Sequence, residues 1–276
     1  MHVSILFFRN FLYLKLAAGL VVLALVAYTI DEPLGKPNGG TWLGYTLGTI
    51  GALLILWLTW FGVRKRRYGK GKLLLEDWMS GHVYLGVALL VVATLHSGLQ
   101  FGWNVHTLAY GLMTFVIVSG LFGLYAYIRL PRLRTENRGG MTLDDVMGLI
   151  AGISKECYEV AGKLDDEVSQ LVQKADRDTR VGGSFWRQLS GHDPDCATTH
   201  ALNRVRDMAE GYTGSDADAG RQLITLLARK AELLRRARRD VQLKATLEIW
   251  LYVHIPMTIA LLAALFVHIF TVFLYW

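Results

Sequence analysis

The sequence predicts an all-α integral membrane protein, in which five transmembrane helices form a bundle and a helical cytoplasmic insertion lies between the fourth and the fifth. Hydrophobic residues make up 53% of the 276 residues, charged residues make up only 19%, and the mean hydropathy is +0.32. That composition is too apolar for a disordered chain or for a nucleic-acid-binding protein. Long runs without Asp, Glu, Lys or Arg indicate the spans, and no strand pattern is visible.

The uncharged runs locate the spans, because an unpaired charge in hydrocarbon is costly and a helix needs about 20 apolar residues to cross. In chain order these runs are 16–30, 37–63, 78–128 and 249–276. The first run reaches sufficient length when it is extended back to Phe11, since Lys15 can snorkel. The third run is too long for one crossing, and Gly102-Trp103-Asn104 supplies a turn within it. The sequence therefore predicts five spans.

The distribution of Lys and Arg predicts the orientation, because basic residues near the spans are retained on the cytoplasmic side. They precede the first and fifth spans and follow the second and fourth, whereas the opposite face carries only Lys36. We therefore expect a bacterial-type inner membrane protein with its N-terminus in the cytoplasm and its C-terminus outside. Residues 131–246 contain 19 basic and 18 acidic residues, so most of the formal charge of +6 belongs to the membrane part.

The predicted domains are residues 1–130 with four membrane helices, 131–246 as the cytoplasmic insertion, and 247–276 as the fifth helix. A helix start at Thr142 and a long basic helix from about Asp216, which can run into the fifth span, indicate a helical insertion. We expect the insertion to be structural or to bind partners. Its basic run Arg235–Arg239 is expected to contact lipid headgroups or to dock an acidic partner.

Common cofactor motifs are missing from the sequence. It has no GxGxxG loop for a flavin or nicotinamide, and its two cysteines form no CxxCH motif for covalent haem. His192, Cys196 and His200 have the spacing H-x3-C-x3-H, but Pro194 breaks the helix that would align them on a metal. No catalytic residue is predicted on this chain.

Four histidines carry the most informative spacing. His82 and His96 on the third span are fourteen residues apart, and so are His254 and His268 on the fifth span. Two residues fourteen positions apart on a helix point within about 40° of the same direction and lie about 21 Å apart along the axis, so each pair shares one face. Because the third and fifth spans run in the same direction, His82 and His254 are expected in the inner half of the membrane, and His96 and His268 in the outer half.

Two opposed neutral imidazoles in an apolar slot suit the axial positions of a b-type haem. Small residues such as Gly86 and Ala93 on the same stripe would leave room for the flat ring. Glycines on the second and fourth spans allow close approach too, although they also serve plain helix packing: Gly44, Gly48, Gly120 and Gly123. In the alternative interpretation each histidine hydrogen-bonds another helix, or the four line a proton or ion path.

The two fourteen-residue pairs, His82/His96 and His254/His268, within a small helical membrane domain resemble the di-haem transmembrane cytochromes b. This group includes respiratory cytochrome b subunits and ferric-reductase-like membrane domains. The resemblance implies two non-covalent b haems in series, which carry electrons across the membrane and exchange them with quinone or with partner redox subunits. The chain departs from the ferric-reductase-like pattern in having five spans rather than six and no flavin or nicotinamide domain.

The expected function is that of a di-haem b-type cytochrome, forming the membrane subunit of a quinol-linked oxidoreductase with multihaem c-type cytochrome or iron-sulfur partners. His82 and His254 would bind the inner haem, and His96 and His268 the outer one. His106, at the start of the fourth span, could bind a haem propionate, serve a quinone site, replace an outer ligand or be a solvated interfacial residue. Competing functions are a haem-free transporter or proton channel, and a membrane anchor or sensor that binds partners through its insertion.

Overall fold

The computed structural model describes residues 5–33, 35–66, 75–191 and 193–274, and 84% of the chain is helical. Within these ranges it contains no strand. In the described ranges a short 3₁₀ helix, Ile5–Phe11, precedes nine α-helices. These are α1 (Leu12–Ile30), α2 (Trp42–Arg66), α3 (Leu75–Ser97), α4 (Val105–Asn137), α5 (Leu143–Ala161), α6 (Asp166–Asp178), α7 (Phe185–Ser190), α8 (Ala197–Ala209) and α9 (Gly214–Leu274). The prediction of an all-helical fold is therefore confirmed.

Five helices, α1 to α4 and α9, are long and apolar enough to cross a membrane. They correspond in order to the five predicted spans and indicate a multi-pass membrane protein. Two of them extend well beyond the uncharged runs. Helix α4 continues through Pro131 to Asn137, and α9 is one continuous helix of 61 residues that begins at Gly214. The predicted basic helix from about Asp216 thus runs into the fifth span.

Helix α2 begins five residues later than the uncharged run at 37, because a turn precedes it. The Asn38 side chain accepts a hydrogen bond from the Gly40 N–H at 2.8 Å, and the Thr41 hydroxyl accepts one from the Gly44 N–H at 3.0 Å. The second bond satisfies an N–H that has no partner inside the helix, as an N-cap does. His192, the basic residues between 67 and 72 and the aromatic end Tyr275-Trp276 lie outside the described residues.

The chain divides into two compact units, and the first comprises Met1–Tyr125 with Trp250–Trp276. Helix α3 packs against both α1 and α2 in this unit. We call its main group of buried apolar residues the central cluster, and these come from α2, α3, α4 and α9: Ile55, Leu58, Leu89, Met113 and Leu261. A second group around Val92 joins α1, α2 and α3.

The second unit, Ala126–Ile249, has its own apolar core built from α5, α6, α8 and the first part of α9. The predicted helix start at Thr142 is confirmed by a capping box, in which Thr142 and Asp145 each accept from the other's backbone N–H. Two helices follow this start, because α5 ends at Ala161 and α6 begins at Asp166. The cytoplasmic location of this unit stays a prediction.

Polar side chains also join α5, α6 and α9 in the second unit. Asp176 on α6 accepts hydrogen bonds from Ser154 and Tyr158 on α5, both at 2.8 Å, and from buried Lys230 on α9 at 2.5 Å. Burial acts to raise the pKa of Asp176, but the bonds from Lys230, Tyr158 and Ser154 hold it below its ordinary value. Burial and the bond to this carboxylate raise the pKa of Tyr158 to about 12. Asp176 therefore stays ionised where the three helices meet.

A second ionic cluster joins the end of α4 to α9 within the same unit. The Asp240 side chain is fully buried, and both its oxygens accept hydrogen bonds from the Arg134 guanidinium at 3.0 and 2.9 Å. Arg138 lies 3.6 Å from the same carboxylate. A bidentate pair of this kind fixes the relative position of both side chains.

We predict that Asp240→Ala lowers the free energy of unfolding of the second unit by about 3 kcal/mol, because Arg134 and Arg138 lose a buried counter-charge. Glu136→Ala is the matched control, since Glu136 is exposed and pairs with Arg132 across one helical turn, an arrangement worth about 0.5 kcal/mol or less. Denaturant titration of the detergent-solubilised protein, followed by circular dichroism, measures both. Equal effects would contradict the structural role of Asp240.

Candidate haem sites in the membrane unit

The four predicted histidines all lie in the first unit, and each is half-buried. The stripes that carry them face the interior of the bundle. Leu89, between His82 and His96, is 2% exposed, and Leu261, between His254 and His268, is 4% exposed. Both leucines belong to the central cluster, which therefore occupies the depth between the two predicted haem sites.

Both α3 histidines are held by the backbone of α2. The Nδ1 atom of His82 lies 3.1 Å from the Leu58 carbonyl oxygen, and that of His96 lies 2.8 Å from the Gly44 carbonyl oxygen. A carbonyl can only accept, so Nδ1 carries the hydrogen in both rings and Nε2 keeps its lone pair. Leu58 and Gly44 are themselves fourteen residues apart. A single antiparallel register of α2 against α3 therefore places a carbonyl acceptor beside each of the two histidines.

His254 reaches the same protonation form through a side chain of α4. Its Nδ1 atom lies 2.7 Å from the Ser119 hydroxyl, which also lies 2.9 Å from the Val116 carbonyl oxygen. The hydroxyl has a single hydrogen, and the carbonyl takes it, so His254 donates to the hydroxyl oxygen and its Nε2 is left unprotonated. Trp250 donates to the Ser119 carbonyl oxygen at 2.7 Å, and its ring lies 5.3 Å from that of His254.

Three imidazoles lie together at the end of the spans that the sequence predicts to be the outer one. The ring centroids of His96 and His268 are 6.0 Å apart and the rings are nearly perpendicular, at 83°. Two imidazoles on opposite sides of one metal ion have centroids roughly 6 Å apart, because each metal–nitrogen bond is about 2 Å long. The separation of His96 and His268 thus matches that of two axial ligands.

His106 is exposed and contacts His268. Their Nδ1 atoms are 2.5 Å apart, so one ring donates to the other, and the rings meet edge to face with centroids 4.5 Å apart. If His268 donates, as the other three histidines do, its Nε2 is also unprotonated. His106 then occupies the place that a backbone carbonyl takes for His82 and His96.

His82 and His254 form the pair that the sequence predicts at the inner end of the spans. The ring of Phe61 lies 5.0 Å from that of His82. Gly86, one turn further along α3, is buried, yet a Cβ atom built on it would meet no heavy atom within 4 Å. The Gly86 backbone on the His82 side of α3 is therefore open to a further group. Ala93 is partly buried and packs against the central cluster.

The predicted close-approach glycines have separate roles. A Cβ atom on Gly48 would lie 2.7 Å from Cε1 of His96, and one on Gly120 would lie 3.6 Å from Cε1 of His254. A Cβ on Gly123 would overlap the Trp250 ring at 1.9 Å, and one on Gly44 would lie 2.3 Å from the Asn38 carbonyl oxygen. Gly48 and Gly120 thus border the histidines, whereas Gly44 and Gly123 permit loop and helix packing.

Chemically, the arrangement offers two imidazole nitrogens at each of two depths. The described residues include no group of three or more His, Cys, Asp or Glu side chains able to hold a metal ion alone. A haem needs only two protein ligands, because the porphyrin supplies four nitrogens. The donor set, the His96–His268 spacing and the space at Gly86 therefore fit haem better than a protein-only metal site.

Sequence reasoning did not identify the second partner of each histidine. Ser119 is a lone hydroxyl in an apolar span, a weak signal for its role, and backbone carbonyls at Leu58 and Gly44 leave no signal in the sequence. Trp57 and Trp78, whose rings stack with centroids 4.9 Å apart next to the inner pair, were also missed.

We predict that Gly48→Ala lowers the free energy of unfolding by about 1 to 2 kcal/mol, because the new methyl group displaces the His96 ring from the Gly44 carbonyl. Gly62→Ala, on the same helix, is the matched control, since a Cβ there meets no heavy atom within 4 Å. That variant should be neutral or more stable by up to about 1 kcal/mol through helix propensity. Thermal unfolding of both proteins tests this, and a stabilised Gly48→Ala protein would contradict it.

Comparison of the chain with protein-family models, with curated proteins and with solved structures gave no match to any of them. The function is therefore inferred from the geometry of the histidine sites.

Proposed function

We propose that the chain is a di-haem b-type cytochrome that moves electrons across a membrane between a quinone pool and partner redox proteins. The observation that carries the proposal is the 6.0 Å separation of the His96 and His268 ring centroids. Hydrogen bonds from the histidines to other helices are also expected of a haem-free protein, and they add to the proposal by setting which ring nitrogen is protonated. His82, His96 and His254 each have their Nδ1 hydrogen engaged by an oxygen atom, which leaves Nε2 as the metal-binding nitrogen. Metal-binding histidines nearly always have such a partner on the second nitrogen.

The ligand pairs follow from depth and proximity. His96 and His268, whose ring centroids are 6.0 Å apart, would together hold one haem, and His82 and His254 would hold the other. A haem with two histidine ligands has no open iron position, so electron transfer is favoured over oxygen binding. When bound, the two irons would alternate between the ferric and ferrous states. The chain's own residues hold the ligand rings in one tautomer and keep water from the apolar space between the sites.

The proposed reaction partners are those that a protein in a membrane can reach. Quinone dissolves in the bilayer and exchanges electrons with membrane cytochromes, and we assign it as the lipid-soluble reactant. Multihaem c-type cytochromes or iron-sulfur proteins are the proposed protein partners at the membrane surface. The proposed topology places the N-terminus in the cytoplasm and the C-terminus outside, with lipid-contacting Arg and Lys residues at the inner face.

The decisive measurement is a reduced-minus-oxidised spectrum of the purified full-length protein, with haem extracted and counted per chain. We expect a b-type α band and two haems. A folded, colourless and iron-free protein would overturn the proposal and would favour the proton-channel alternative. Proton flux in liposomes would then be measured, with His106→Ala as the variant, because His106 is exposed and hydrogen-bonds His268.

We predict that His82→Ala and His254→Ala remove the same haem, and that His96→Ala and His268→Ala remove the other, because each haem loses an axial ligand. Haem content should fall from two to one per chain in all four variants. The redox titration of the remaining haem identifies which one was lost. Loss of different haems in His82→Ala and His254→Ala would refute the proposed ligand pairs.

We also predict that Ser119→Ala weakens haem binding at the inner site by about 10- to 100-fold, because His254 loses the partner that orients its ring. Ser119→Thr should retain most of the affinity, since it keeps the hydroxyl group. Thr114→Val is the control on the same helix, where the hydroxyl hydrogen-bonds the Tyr110 carbonyl oxygen. Transfer of haem to an excess of apomyoglobin measures retention, and equal loss from Ser119→Ala and Thr114→Val would contradict the assignment.

A further inference from the structure

Trp78 has a buried hydrogen-bond donor that finds no partner in the described part of the chain. Its indole Nε1 atom is inaccessible to solvent and has no acceptor among the described residues. Buried N–H groups are nearly always paired, because an unpaired donor loses its bond to water and gains nothing in return. A polar group of this kind inside a membrane protein points to an acceptor that binds from outside the chain.

The position of Trp78 indicates where that acceptor lies. Trp78 is four residues before His82, so the two side chains lie on the same face of α3, one turn apart. The Trp78 ring stacks on Trp57 at an interplanar angle of 19°. Trp57 in turn packs against the central cluster. The Trp78 ring is thus held one helical turn before His82, on the same face of α3.

This end of the bundle carries charges of both signs: α3 begins with Glu76 and with buried Asp77, which pairs with Arg9 at 3.0 Å, and α2 supplies cations for a further anion. Leu58 and Phe61 on α2 contact His82, and the next turn of α2 carries Arg64 and Lys65. A haem has two propionate carboxylates on one edge, and these seek hydrogen-bond donors and cations. A porphyrin bound at His82 with that edge toward the inner surface would bring a carboxylate to the Trp78 side of the site.

We propose that the Trp78 indole N–H donates a hydrogen bond to a propionate carboxylate of the inner haem, which it helps to retain and orient. This inference rests on the proposed function. Trp78 would be a positioning and binding residue, and it takes no part in electron exchange with the quinone. A quinone carbonyl is the competing acceptor, and the experiment separates the two.

The test compares Trp78→Phe, Trp78→Gln and Trp57→Phe in the full-length protein in nanodiscs. Trp78→Phe removes the N–H, Trp78→Gln restores a side-chain N–H, and Trp57→Phe makes the same ring change in the stacked pair. We expect Trp78→Phe to release the inner haem to apomyoglobin about tenfold faster and to lower its midpoint potential, because the carboxylate charge is less stabilised. The outer haem should not change, Trp78→Gln should recover part of the retention, and Trp57→Phe should lose less than Trp78→Phe.

The outcomes are distinct. Equal haem loss in Trp78→Phe and Trp57→Phe would show a packing effect and overturn the inference. Unchanged haem binding together with weakened quinone binding in Trp78→Phe would assign the donor to quinone and also overturn it. Should Trp78→Phe fail to fold, inner-haem release from Trp78→Gln that is faster than from the wild type but slower than from His82→Ala supports the inference. Release from Trp78→Gln at the wild-type rate, or as fast as from His82→Ala, contradicts it. A haem-free wild-type protein would overturn the proposed function itself.

Discussion

The register of α2 against α3 is the constraint on which the histidine sites depend. The carbonyl oxygens of Leu58 and Gly44 are fourteen residues apart on α2, and they meet imidazoles fourteen residues apart on α3. Sliding α2 by one residue would rotate both carbonyls away, because successive residues on a helix differ by about 100°. Gly48 makes this register possible at the outer site, since any larger side chain would occupy the space of the His96 ring.

The α9 histidines are supported by side chains instead of backbone. Ser119 and His106, both on α4, contact His254 and His268. The α3 and α9 histidines differ in this way because a histidine ring reaches the backbone carbonyl of a neighbouring helix only where the two helices approach closely. Between α4 and α9 close approach occurs at Gly123, where the Trp250 ring fills the space. A hydroxyl or imidazole group therefore bridges the remaining distance.

The sequence predicted the five spans and the placement of the four histidines on two helix faces, because both depend on residue type and spacing alone. Charge-free runs fix where helices cross, and a fourteen-residue repeat fixes which residues share a face. The remaining features depend on tertiary packing. The register of α2, the choice of Ser119 among several span hydroxyls and the Trp57–Trp78 stack follow from how the helices contact one another. The sequence alone left open whether α9 continues past Lys244. The change from an amphipathic helix to an apolar span suggests two elements, whereas the lack of a Gly between them suggests one continuous helix.

The two proposed haem sites differ in their access to water, and that difference bears on how electrons would enter and leave. The inner histidines are supported by a carbonyl and a hydroxyl within the bundle, and Trp57 and Trp78 stack beside them. The outer site includes His106, which is exposed and contacts His268 directly. A water-soluble protein partner could thus approach the outer haem through His106, whereas a reactant of the inner haem would have to come from the bilayer. An enclosed site and an open site suit a cytochrome that connects a lipid-soluble carrier with a soluble one.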